Sequence, residues 1–128
     1  YKMLLSIILA SKICKAFAEG RKSYSAVQLK LETGIPIRIT NDLLFEMTKT
    51  HILTEIPGDD KGDESKYQPA ECITNLSVGT LIDRMEAYGK WTIDMNRYNF
   101  ISNKWNDILR YRHEYLNKQR NILLKDIM

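Results

Sequence analysis

Ser25-Ala-Val-Gln28 constrains this chain more than any other stretch. A Ser followed three residues later by Gln is a capping box, and it starts a helix. Gly34 stands where a helix C-cap glycine belongs, and Pro36 suits the first turn of a following helix. From there to about Thr50, apolar residues recur at Ile39, Leu43 and Met47, with Leu44 beside them, as on one face of a 3.6-residue period. Residues 52–56 then read as a short strand. The polar loop 57–66, rich in turn formers, leads into a second short strand at 67–70, so the pair forms a β-hairpin with a long tip. Helix, glycine turn, helix, strand and hairpin is the order of a winged helix-turn-helix.

The flanks complete the expectation. Residues 2–19 read as an amphipathic helix ending at Gly20, with Leu5, Ile8, Leu9, Ile13, Ala16 and Phe17 as its core stripe. Met3, Leu4, Ile7 and Cys14 add apolar surface outside that stripe. A helix this apolar is buried on more than one side, by the C-terminal segment or by a second subunit. Ser23-Tyr24 is a short connector or strand partner. Ser77 caps a fourth helix that presents Val78, Leu81, Ile82 and Met85 and ends at Gly89. Residues 90–100 are irregular. A long last helix is expected over residues 103–126, packing through Trp105, Ile108, Leu109, Leu116 and Leu123 and interrupted by Arg112 and Gln119. The fold class is mainly α, a winged helix-turn-helix with a small β-hairpin wing and a long C-terminal helix. Residues 1–89 form the winged-helix domain, and 90–128 a C-terminal extension packed on it.

A chain of 128 residues is long enough for one domain with a real core. The apolar run 3–10 is far shorter than the ~20 residues of a membrane span. Cys14 and Cys72 both lie among apolar neighbours and are expected to be buried free thiols in a reducing compartment. The net charge of +3 is unevenly spread. Residues 1–22 carry +4, residues 23–96 carry −5 and residues 97–128 carry +4.

That distribution bears on nucleic-acid binding. The outward face of the second motif helix carries Arg38, Asn41, Asp42, Phe45, Glu46 and Lys49, whose charges cancel. Phosphate binding needs a basic surface, so nucleic acid is disfavoured here and Phe45 points to a protein contact. Arg38, Asn41, Asp42, Phe45 and Lys49 are the candidate interaction face. The basic residues of the last helix scatter around it instead of lining one stripe. They suit a solvated helix, or attraction to an anionic membrane surface. The tip 59–64 lacks the spacing of a calcium loop. His51 and His113 belong to no zinc-ligand pattern, and no nucleophile motif or glycine-rich phosphate loop occurs. No cofactor, metal, small-molecule ligand or catalytic residue is assigned.

Ser11-Lys-Ile-Cys-Lys-Ala-Phe-Ala-Glu-Gly20, Thr33-Gly-Ile-Pro-Ile-Arg38 and Asn41-Asp-Leu-Leu-Phe-Glu-Met47 carry a resemblance. With Tyr67-Gln-Pro-Ala70, residues 76–85 and residues 122–126, they resemble the C-terminal tail of YihY/BrkB-type inner-membrane proteins of the Bacteroides form. The resemblance implies membrane helices upstream, a place on the cytoplasmic face of the bacterial inner membrane, and the family's ribonuclease BN-like, tRNA-processing label. It assigns no catalytic residue, because the matched motifs are structural. The helix-turn-helix is also similar to that of Rrf2-type transcription regulators, whose metal-cluster cysteines are absent here. The reading that follows is an interaction or assembly module whose partner is its own membrane domain or a second subunit. The alternatives are a tRNA ribonuclease and a nucleic-acid-binding module.

Overall fold

A computed structural model describes residues 1–58, 63–88 and 99–127. The chain runs α1 (Lys2–Ala18), β1 (Tyr24–Ser25), α2 (Ala26–Thr33), α3 (Ile37–Lys49), β2 (Leu53–Ile56), β3 (Lys66–Pro69), α4 (Val78–Ala87) and α5 (Asn99–Gln119). A 3-10 turn over Leu124–Asp126 closes it. The sheet is antiparallel in the order β1-β3-β2, with Tyr24 opposite Tyr67, Ser25 opposite Lys66 and Leu53 opposite Pro69. Pro69 has no N–H to give, and it sits beyond the reach of the two-residue β1, where none is needed. This is the expected winged helix-turn-helix, mainly helical with a small β wing and a long C-terminal helix.

One core joins the layers. Leu9, Ala10, Ile13 and Cys14 of α1 meet Leu29 of α2, Leu43, Leu44 and Met47 of α3, and Leu76, Leu81 and Met85 on and before α4. The stripe on α1 is rotated from the expected one. Leu9, Ile13 and Ala16 are buried, but Phe17 is 50% exposed, and the buried row runs through Ser6, Ala10 and Cys14. Small side chains on that row let neighbouring backbone approach closely. The segment that packs most extensively on α1 is the closing 3-10 turn, which places Leu124 fully inside. Of the surplus apolar residues of α1, Cys14 is buried, Met3 and Ile7 are partly buried and Leu4 is exposed.

The last helix differs from expectation at both ends. It starts at Asn99 and stops at Gln119, not near residue 126. The chain then turns back, because Ile122-Leu-Leu124 buries more against the core than it would on a solvated helix. Val78 N–H donates to the Ile122 carbonyl (2.8 Å) and Leu124 N–H to the Leu76 carbonyl (3.1 Å), around a bridge between Ser77 and Leu123. Leu116 is buried as expected, whereas Ile108 is 52% exposed. Arg112 does not spoil the packing face. It bonds Asp83 (3.1 Å) and Glu86 (2.8 Å) on α4. The expected helix end at Gly89, residues 90–98 and the packing roles of Trp105 and Leu109 fall outside the residues or side chains described.

Candidate nucleic-acid interface

The turn between α2 and α3 is held by side chains the sequence places there. Ser25 Oγ accepts from Gln28 N–H (3.3 Å) and Gln28 Oε1 accepts from Ser25 N–H (2.9 Å), completing the capping box. Gly34 closes α2 at φ 76°, a left-handed conformation in which a β-carbon is unfavourable. Thr33 Oγ1 donates to the Leu29 carbonyl (2.7 Å) and accepts from Ile35 N–H (3.2 Å). Pro36 is the N-cap of α3 and not part of its first turn. Buried Thr40 donates to the Ile35 carbonyl, tying α3 back to the turn.

At its far end α3 closes on a Schellman motif. His51 adopts φ 63°, its N–H reaching the Thr48 carbonyl, and Ile52 N–H reaches that of Met47. The His51 carbonyl accepts from Arg84 Nη1 (2.9 Å), and Arg84 Nη2 pairs with Glu71 (2.6 Å). Arg84 therefore anchors the point where α3 passes into the wing. The sequence held no local signal for this bond, which spans 33 residues.

The face that α3 buries is Thr40, Leu43, Leu44 and Met47. Ile39, expected on that face, is 40% exposed because Thr40 takes its place against the turn. Arg38, Asn41, Asp42, Phe45 and Lys49 are all exposed. At 100° per residue, Arg38, Asp42, Phe45 and Lys49 form one outward stripe, with Asn41 displaced toward the wing. Lys49 Nζ lies 5.3 Å from the centre of the Phe45 ring, and Phe45 itself is 57% exposed. Two shallow grooves flank the stripe. On the wing side Asn41 joins Ala26, Val27, Glu55, Glu64 and Tyr67; on the other, Asp42 and Phe45 join Lys2, Ile39, Glu46 and Tyr88. The five expected residues thus share one helix surface but divide between two grooves and the crest.

Charge on this surface is not as a count along α3 suggests. Glu46 is half-buried and bonded by Lys2 Nζ at 2.7 Å, across 44 residues of sequence. Lys2 is a contributor to the site that sequence reading missed. Lys66, a basic residue of the wing, is set by strand register beside Ser25 at the start of α2. The wing-side groove keeps the acidic Glu55 and Glu64. Burial, with the Glu55 carboxylate opposite, raises the Tyr67 phenol above its usual range. The tip residues 59–62, with Asp59 and Asp60, lie outside the described residues.

The two cysteines part company. Cys14 is buried, but Cys72 is exposed, in the turn before α4, with Sγ 2.9 Å from Thr74 Oγ1. Among the described residues, no group of three or more His, Cys, Asp or Glu is placed to hold a metal ion. No helix among them is long and apolar enough to cross a membrane.

No family model and no curated protein matches the chain. Solved structures do. IscR of T. potens superposes with a TM-score of 0.67 at 15% identity, over 99% of this chain and 82% of that one. CymR, the global cysteine regulator of B. subtilis, gives 0.67 at 12% identity, over 99% of this chain and 92% of its own. Staphylococcus aureus CymR gives 0.63 at 18% identity, over 97% and 92%. At these identities the likeness is one of fold, and the fold shared over nearly the whole chain is the winged helix.

Proposed function

We propose that this chain is a nucleic-acid-binding module of the transcription-regulator type, with α3 entering the major groove of duplex DNA. The observation that carries the reading is the Lys2–Glu46 ion pair. Lys2 neutralises one of the two carboxylates that opposed phosphate, which leaves Arg38 and Lys49 against Asp42 alone on this face. Arg38 and Asn41 then stand exposed on the first two turns of α3, where a reading helix meets base edges. Lys49 and Lys66 supply phosphate contacts. Similarity of fold to a global cysteine regulator supports the same reading. So does the outer face of α5, where Ile108, Tyr111 and Tyr115 are each more than half exposed at helical spacing. Asp107, Arg110, Glu114 and Lys118 alternate in sign beside them, which suits an antiparallel second copy and a two-fold DNA site.

The test is a mobility-shift titration of random-sequence duplex DNA and of tRNA, at low and moderate salt. Duplex DNA is expected to shift, more weakly as salt rises, and R38A and K49A are expected to weaken it. No duplex shift at low salt overturns the reading, and cut tRNA favours the ribonuclease label. A second reading, the interaction module of an inner-membrane protein, draws support from the groove holding Ile39, Phe45 and Tyr88, each at least 40% exposed. Several apolar spans of ~20 residues encoded upstream of this chain would favour it.

A further inference from the structure

We infer that Asp42 is a specificity residue: its carboxylate accepts from the N4 amino group of a cytosine, so that α3 selects a C·G pair at one step of its site. This rests on the DNA-binding reading of α3. Asp42 lies on the outward stripe, at its edge toward Lys2, Ile39 and Glu46, and is exposed. It makes no hydrogen bond or ion pair that the described residues show, although Arg38 is one turn away on the same stripe. Its acidic neighbour Glu46 is satisfied within the chain by Lys2.

Two structural roles for this carboxylate fall away. It does not serve the helix dipole, because it is the sixth residue of α3 and that effect fades beyond the first turn, which holds no acid here. It does not cap or clamp a neighbouring element, as Arg84 and Arg112 do. A bare carboxylate facing the phosphate backbone weakens binding to every sequence alike. Facing a base edge it discriminates, because it is acceptor-only and cytosine alone of the pyrimidines offers a major-groove amino donor. Phe45, one turn on, gives the same stripe an apolar surface suited to a thymine methyl group.

The experiment is selection from a pool of random duplexes with the wild-type chain, D42A, D42N and, for comparison, R38A. The wild type is expected to enrich a motif with a fixed C·G pair. D42A is expected to lose preference at that pair by about tenfold while binding random duplex more tightly. D42N is expected to change the preferred pair to A·T, since an amide reads adenine N6 and N7 together. R38A is expected to relax a different position. Asp42 is exposed and, among the described residues, unbonded, so its variants should melt as the wild type does. A wild-type motif that survives unchanged in both D42A and D42N overturns this inference and leaves DNA binding standing. A wild-type chain that shifts random duplex but enriches no motif overturns this inference alone, and one that shifts no duplex overturns the DNA-binding reading as well.

Discussion

A β-carbon placed on Gly79 would stand 2.5 Å from the carbonyl oxygen of Leu116. Helices α4 and α5 cross there with backbone against side-chain-free backbone, and the Arg120 amide is only 3.0 Å from the same point. Alanine would gain about 1 kcal/mol of helix propensity over glycine. Against that, the crossing cannot open freely, because hydrogen bonds at Val78 and Leu124 pin the chain on either side. We expect G79A to be destabilised by about 1–3 kcal/mol in urea unfolding, as overpacked cores are. A more stable G79A would show that α5 is free to shift.

The returning C-terminal segment should matter more than its position in the chain suggests. Leu124 is fully buried and Ile122, two residues earlier, is 44% exposed. Truncating Leu124 to Ala should cost about 2–5 kcal/mol, the usual range for a core leucine. I122A should cost under about 1 kcal/mol, since its contribution runs through a backbone carbonyl that Ala retains. Equal losses in the two variants would contradict the observed turn.

Lys2 and Glu46 separate stability from binding. Lys2 is largely exposed, so the pair should contribute no more than about 1 kcal/mol to folding. Its larger effect is on charge beside α3. K2A should leave the melting temperature nearly unchanged but weaken duplex binding severalfold at low salt, and E46Q should strengthen it. Parallel changes in melting and binding would make the pair merely structural.

The cysteines predict opposite chemistry. Bonding to Thr74 lowers the Cys72 thiol below its ordinary range, so more thiolate is present near neutral pH. In the folded chain one equivalent of iodoacetamide should label Cys72 alone, and T74V should slow that labelling at pH 7. Cys14 is pushed up to about 12 by burial. Its folded state holds the proton more tightly than the unfolded state does. Stability from this group is therefore whole below about pH 9 and is lost as pH rises from there toward 12, by about 1.4 kcal/mol per pH unit. C14A should flatten the alkaline fall in urea midpoint between pH 9 and 11. Tyr24, raised chiefly by its bond to Glu32, contributes with the same sign and would leave a residual slope.

Much of the fold was legible because it depends on neighbours in sequence. The capping box at Ser25 and the caps at Gly34 and Ser77 act within a few residues, and the structure forms each of them. The outward residues of α3 were legible for the same reason: a helix period places Arg38, Asp42, Phe45 and Lys49 together without help from elsewhere. Four misjudgements share another cause. Ile39 and Phe17 are exposed, Cys72 is exposed, and the last helix ends seven residues early. Apolarity says that a residue can be buried, but the neighbouring surface decides whether it is.

What the sequence determined by itself was the set of local elements and their order, because caps, turns and helix periodicity act over a few residues. What only the tertiary structure decided was the charge of the candidate interface and the seat of the C-terminal segment. Lys2 reaches Glu46 across 44 residues, Arg84 reaches the His51 carbonyl across 33, and Leu124 fills a core begun at Leu9. Such pairings are set by the packing of helices against one another, and Coulomb and burial energies depend on distance in space, not along the chain.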